Sequence, residues 1–138
     1  MNRIIKFRAK TTVAGDWVYG WLVPQLDFAP HSDRLVMTNE FIICRKIGND
    51  GCWLSDRVDK DTIGQFTSLY DKNGKEIYEG DILKAGDARS WIEVRFVRGV
   101  FAFLWNGNLD DECPTQSPTT EWAEVIGNIH DNKVLLHK

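Results

Sequence analysis

Strand-like segments with apolar residues at alternate positions recur along this chain, and no segment keeps a helical period over three turns. Such a chain has only sheets with which to bury its side chains, so the fold class is mainly β, with at most one or two short helical turns. Arg3 to Ala9 sets Ile5, Phe7 and Ala9 on one side and Lys6 and Arg8 on the other, as in a strand at a sheet edge or with one wet face. Trp17 to Val23 is aromatic and apolar on both sides, with Trp17, Tyr19 and Trp21 against Val18 and Leu22, which predicts a central strand buried on both faces. Pro24 and Pro30 interrupt that pattern and predict a surface loop between them. Glu40 to Arg45 reads as a further short strand, whereas Cys52 to Val58 mixes apolar and charged residues without a clear period.

Turn chemistry divides the rest. Asn73-Gly74 lies between Leu69-Tyr70 and Glu76-Ile77-Tyr78, and because both turn residues tolerate positive φ, a tight hairpin is expected at Asp71 to Lys75. Trp91 to Arg98 alternates Ile92, Val94 and Phe96 with Glu93 and Arg95, and Gly99 separates it from Val100 to Trp105, which predicts a second hairpin. Asn106 to Thr120, with Gly107, Pro114, Pro118 and the acids Asp110, Asp111 and Glu112, is expected to be a long exposed loop. Trp122 to Ile129 is a last strand, after which Asp131 or Asn132 can cap a short helical turn carrying Leu135 and Leu136. The polar run Asp56 to Asp61 sets a soft boundary near Lys60, giving subdomains 1–60 and 61–138 within one folding unit. Neither internal repeats nor low-complexity tracts occur.

With 138 residues the chain can bury one ordinary core or two small ones. Apolar residues at 43% and charged residues at 27% are ordinary for a packed globular domain. The longest apolar runs are a few residues, against the ~20 that a membrane helix needs, and the start alternates charge with Ile and Phe, so no membrane partner and no signal peptide are expected. Cys44, Cys52 and Cys113 are odd in number and widely spaced, which favours thiols in a reducing cytoplasm. The net charge of −3 would repel polyanions unless the basic residues gather on one face.

Candidate chemistry is sparse. Two carboxylates at suitable separation can serve as acid and base or hold Mg²⁺, so Asp71, Glu76, Glu79 and Asp81 form a candidate set, with His130 as the partner of Asp71, Glu79 and Asp81 in an alternative reading as a metal-assisted hydrolase. Turn capping is the better reading of these acids, because no histidine or lysine partner falls within the same motif. His31, His130 and His137 are scattered, whereas zinc takes three or four ligands, and no metal or other cofactor is expected. Gly-x-Ser-x-Gly, P-loop and Gly-x-Gly-x-x-Gly patterns are missing, so no catalytic residue is assigned and the chain is not read as an enzyme. The basic residues are more suggestive. Arg3, Lys6, Arg8 and Lys10 precede any acid, and Lys84, Arg89, Arg95 and Arg98 surround the Trp91 hairpin. If the two groups meet, with Trp91 and Tyr78 nearby, they form a phosphate-tracking groove with stacking platforms. The competing role is protection of exposed sheet edges by lysine and arginine.

The stretch from Thr62 to Ile82 (Ile63, Gly64, Phe66, Leu69, Asp71, Asn73, Gly74, Ile77, Tyr78, Gly80 and Asp81 among its residues) resembles the signature of the YopX family, small proteins of bacteriophages and prophages. The start, Arg3-x-Ile5-x-Phe7-Arg8-Ala9 followed by Trp17-x-Tyr19-Gly20, and the end, Glu124-Val125-Ile126-Gly127-Asn128-Ile129, agree with it. Ser68 stands where the family usually has Gly, and would be strained if that position needs positive φ. Lys133 follows Asn132 where the family often has Pro. The resemblance implies compact β-barrel-like subdomains packed together, the C-terminal one SH3-like, and carries neither catalytic residues nor an established role. Turn formers and core residues account for the signature.

These features predict a non-enzymatic phage or prophage accessory protein of the cytoplasm that acts by binding. Six tryptophans in so small a β chain favour self-association into a homo-oligomer, or a protein partner, over nucleic acid. Nucleic acid held by segments 3–10 and 84–98 comes second.

Overall fold

The computed structural model describes residues 4–49, 51–85, 91–108 and 122–134. It divides into two compact units, Ile5–Gln65 and, together with Ile4, the chain from Phe66 onward. The division falls inside a strand, and not at the polar run that suggests a boundary near Lys60, because that run is structural. Asp59 caps a 3₁₀ turn, Lys60–Thr62, its carboxylate accepting the Asp61 amide at 3.0 Å. The buried Thr62 hydroxyl donates to the Asp59 carbonyl at 2.7 Å and accepts the Lys10 amide at 2.9 Å.

The first unit is an antiparallel meander of β1 (Phe7–Lys10), β2 (Trp17–Phe28), β3 (Leu35–Ile47) and β4 (Cys52–Val58). Far from lying at an edge, β1 pairs with β2 on one side and with the start of β5 (Gly64–Tyr70) on the other, Phe7 opposite Gln65 and Arg8 opposite Gly64. The chain beyond β1 also returns to the end of β4 through the bridge Thr11 to Val58. The Thr12 amide donates to the Arg57 carbonyl at 3.0 Å, and the Asp59 amide to the Lys10 carbonyl at 2.8 Å. The meander therefore curls on itself, and inside it Ala9, Val18, Ile43 and Val58 pack with Phe7, Leu22, Phe41 and Ile63. Curling brings strands close: a Cβ on Gly20 would run into the Cys44 carbonyl, so a side chain has no room there.

Strand β2 departs twice from its sequence pattern. Pro24 does not end it but pairs with Phe41 beside a shift of register, a place where a residue lacking N–H is tolerated. The ladder resumes with Leu26 opposite Met37 and Phe28 opposite Leu35, so the expected loop is an extended ribbon and β3 is far longer than Glu40 to Arg45. Nor is β2 dry on both faces, although it is central. Alternation turns Val18 and Leu22 inward and leaves Tyr19, Trp21 and Val23 exposed.

In the second unit the end of β5 pairs with β6 (Glu76–Tyr78), and β7 (Asp81–Ala85), β8 (Trp91–Val97), β9 (Val100–Trp105) and β10 (Ala123–Asn128) form an antiparallel sheet in the order β10-β7-β8-β9. Ile77, Leu83, Ile92, Val94, Phe103, Ala123 and Val125 make its core, with Leu69 and Trp105 against it. The β8–β9 hairpin closes on Arg98 and Gly99, both at positive φ (51° and 83°), and pairs Val97 with Val100. Alternation along β8 is imperfect: Phe96 is half exposed while Glu93 is buried, its carboxylate accepting Arg95 Nε at 2.7 Å. Arg89, Cys113, His137, the expected loop beyond Asn108 and the leucines of the terminal turn lie outside the described residues. The turn before them is organised by Asn128, whose side-chain oxygen accepts the amides of His130 and Asp131, each at 2.9 Å.

Asp71 fastens this unit. It is 1% exposed, and its Oδ1 accepts the amides of Asn73 (2.8 Å) and Lys75 (2.9 Å) while Oδ2 accepts that of Val125 in β10 (3.0 Å). Burial alone would push its carboxyl up. The three amides, with the Lys75 charge, outweigh that and hold it below the usual carboxylate value. Asp81, equally buried, accepts the Tyr78 amide on Oδ2 at 2.7 Å.

Three stability changes are expected. Asp71→Asn presents an NH₂ group to at least one of these amides and should cost about 2 kcal/mol, read as a lower denaturation midpoint. Because the folded carboxyl titrates below its unfolded value of about 3.9, its contribution is present above that pH and is lost as pH falls through the folded value. The acid limb of stability against pH should therefore be shallower in Asp71→Asn than in the parent. Ser68 sits at φ 71°, within the register shift between Phe66 and Tyr70, and Ser68→Gly should raise stability by up to about 1 kcal/mol, less the entropy that glycine adds to the unfolded chain. Gly74, at φ 79° with open space where a Cβ would stand, isolates the backbone effect. Gly74→Val should lower stability by roughly 1 kcal/mol or more in the same melts.

Candidate functional site

The acidic residues do not converge. Asp71 spends both oxygens on backbone amides, two in its own turn and one in β10, Asp81 accepts the Tyr78 amide, and among the described residues no group of three or more His, Cys, Asp and Glu side chains could hold a metal ion. Glu79 and His130 are each half buried at their own turns, the amide of His130 bonded to Asn128.

The basic residues are divided between the two units. Lys84, Arg95 and Arg98 belong to the second unit: Lys84 stands between Glu124 and Trp91 in the ladder, Arg98 forms the β8–β9 turn, and Arg95 is bound to Glu93, a bond that pushes the guanidinium pKa up. Tyr78, the proposed stacking residue there, is 2% exposed and bonded through its hydroxyl to Glu76 at 3.1 Å, so it offers no ring face to a ligand. Lys6, Arg8 and Lys10 belong to the first unit, and Arg3 lies outside the described residues. Arg8 is the unexpected member. Only 6% exposed, it lays its guanidinium over the ring of Trp17 with Cζ 4.6 Å from the centroid, and Lys10 Nζ stands 5.5 Å from the same centroid.

The outward face of the first unit is where aromatic and basic groups are actually brought together. Because Val18 and Leu22 point inward, Trp17, Tyr19 and Trp21 line up outward along β2. Trp53 reaches across β3 to Trp21, ring centroids 4.9 Å apart and planes 45° apart, with the two side chains 51% and 52% exposed. Register sets Lys46 opposite Trp53 and Arg57 opposite Ile42 on the same face. The acid beside them is Glu40, 3.7 Å from Arg57. Two clefts adjoin: one of about 540 Å³ lined by Lys10, Asn39, Glu40, Arg57 and Lys60, and one of about 570 Å³ lined by Trp17, Arg45, Ser55 and Asp56. Sequence reasoning saw the period of two in Trp17, Tyr19 and Trp21 but buried both sides of the strand. The signal missed was Lys46 in β3 and Arg57 in β4, which sequence reasoning did not join to Arg8 and Lys10.

A second exposed surface is apolar. Leu26, Phe28, Leu35 and Met37 share one face of the ribbon beyond Pro24, each between 53% and 72% exposed.

Comparison with known proteins adds a family. None of the curated proteins matches this chain. Among solved structures it is similar to the crystal structure of protein EF1440 from Enterococcus faecalis, with 30% identity over 98% of this chain and 99% of that one and a TM-score of 0.55. The family model described as YopX protein matches residues 6–137, nearly the whole length, and the chain belongs to the YopX family.

Proposed function

We propose that this protein is a non-enzymatic accessory protein of a phage or prophage that works by binding, and that its first partner is a second copy of itself. The apolar ribbon of the first unit carries this reading. Among the described residues β1 pairs β2 only from Trp17 to Gly20, and β4 pairs β3 only from Phe41 to Ile47, so from Leu26 to Met37 the two strands have no third beside them. An isolated two-stranded ribbon is marginal in water, and its open edges are templates for another strand. Four large apolar side chains on one face of such a ribbon are costly to leave wet, at about 25 cal/mol for each Å² of apolar surface. A symmetric contact between copies supplies both a cover and an edge partner. The net charge of −3 opposes this weakly, being screened beyond about 8 Å at physiological salt.

Light scattering coupled to size exclusion, from low to high micromolar protein, reads the outcome directly. The parent should run at a multiple of 15.9 kDa. Phe28→Asp combined with Met37→Asp, both at exposed positions, should return it to one chain without changing its circular dichroism. A parent that stays at 15.9 kDa throughout overturns self-association.

A further inference from the structure

We infer that the outward face of the first unit is a stacking platform for single-stranded nucleic acid. The inference stands apart from self-association, since it uses the stretch of β2 before Pro24 and not the ribbon after it.

Tyr19, Trp21 and Trp53 present half-exposed rings on one curved sheet face, and base stacking needs exposed ring faces held on a rigid support. The support here is a closed meander whose inner side is packed, so the rings project from positions that cannot collapse inward. Trp17 has another use. With the Arg8 guanidinium over its ring and Lys10 beside it, it holds two positive charges at one end of the row. Lys46 lies opposite Trp53, and Arg57 and Lys60 line the cleft at the margin. Glu40 and Asp59 offset part of that charge, as do Asp16 and Asp56 at the second cleft, but the outward positions beside the rings carry Arg8, Lys10, Lys46 and Arg57. In a chain of net charge −3, several cations thus stand beside exposed aromatic rings, the complement of a ligand with flat bases and a phosphate backbone.

Spacing selects a single strand. Outward positions along β2 recur about every 6.8 Å, twice the rise of one residue. That is about double the 3.4 Å between nucleotides along one strand of a duplex. Bases can therefore sit on successive rings only when they are unstacked from each other, and a duplex cannot provide that. Sequence preference is not expected, because every base has a π face.

The test uses the full chain and fluorescein-labelled oligothymidylate and oligouridylate of about 15 nucleotides, within the span that such surfaces cover. Either should bind saturably and quench tryptophan fluorescence, and the pair tells DNA from RNA. A duplex of equal length should bind at least tenfold more weakly. With about three exposed cations engaged, log K against log salt should fall with a slope of about −2 between about 50 and 200 mM. Trp21→Ala and Trp53→Ala should each weaken binding by about tenfold at an unchanged slope, and Trp53→Phe should restore most of it. Lys46→Gln should instead make the slope shallower by about 0.7. Failure of both oligonucleotides to bind at the lowest salt overturns the inference, as does duplex binding of equal strength. So does an affinity that Trp21→Ala and Trp53→Ala leave unchanged.

Discussion

The second unit depends on one buried carboxylate. Asp71 accepts two amides of its own hairpin turn and one from a strand 54 residues further along, so a single side chain fixes both a local turn and a long-range strand position. Burial of a charge is tolerable only when hydrogen bonds replace its water, and here both oxygens are met by N–H groups. Around this point the Lys72 amide reaches the Ala123 carbonyl, and Ala123 and Val125 then enter the core beside Ile77 and Leu83. The same carboxylate, read as chemistry, would be a candidate acid or metal ligand. Its geometry makes it a fastener.

The first unit relies on closure instead. Its meander is sealed where the chain after β1 meets the end of β4, and Thr62 ties that junction to β1 through Lys10. Closing a small sheet removes edges and concentrates the apolar side chains inside, which leaves the outward face free for other residues. Along β2, Trp17, Tyr19 and Trp21 face outward before Pro24 and are bordered by cations, whereas beyond it Leu26 and Phe28 lie on an open ribbon with Leu35 and Met37. Two surfaces of different chemistry thus share one strand, separated by a shift of register at a proline.

Much of the fold was legible from local rules. Asn73-Gly74 marked the β5–β6 hairpin, Gly99 marked β8–β9, and the signature from Thr62 to Ile82 resolved into turn formers and core residues, as its composition suggests. The candidate site was legible only in part. The run Lys6, Arg8, Lys10 was visible, but whether Arg8 meets solvent or a tryptophan ring depends on which strand lies beside β1. Tyr78 looked like a stacking residue by type, yet the core encloses its ring.

By itself the sequence determined the β class, the positions of the tight turns and the family, because these rest on a period of two, on glycines and asparagines that admit positive φ, and on a long contiguous motif. Only the tertiary structure decided which face of each strand is wet. Alternation distinguishes two faces but does not say which one a partner strand or a closing sheet will cover, so Trp21 and Trp53 could be placed side by side only once β3 lay between them. The fate of Pro24 was likewise tertiary: a proline breaks a strand unless the ladder around it shifts register, and that shift is a property of the paired strands and not of either one alone.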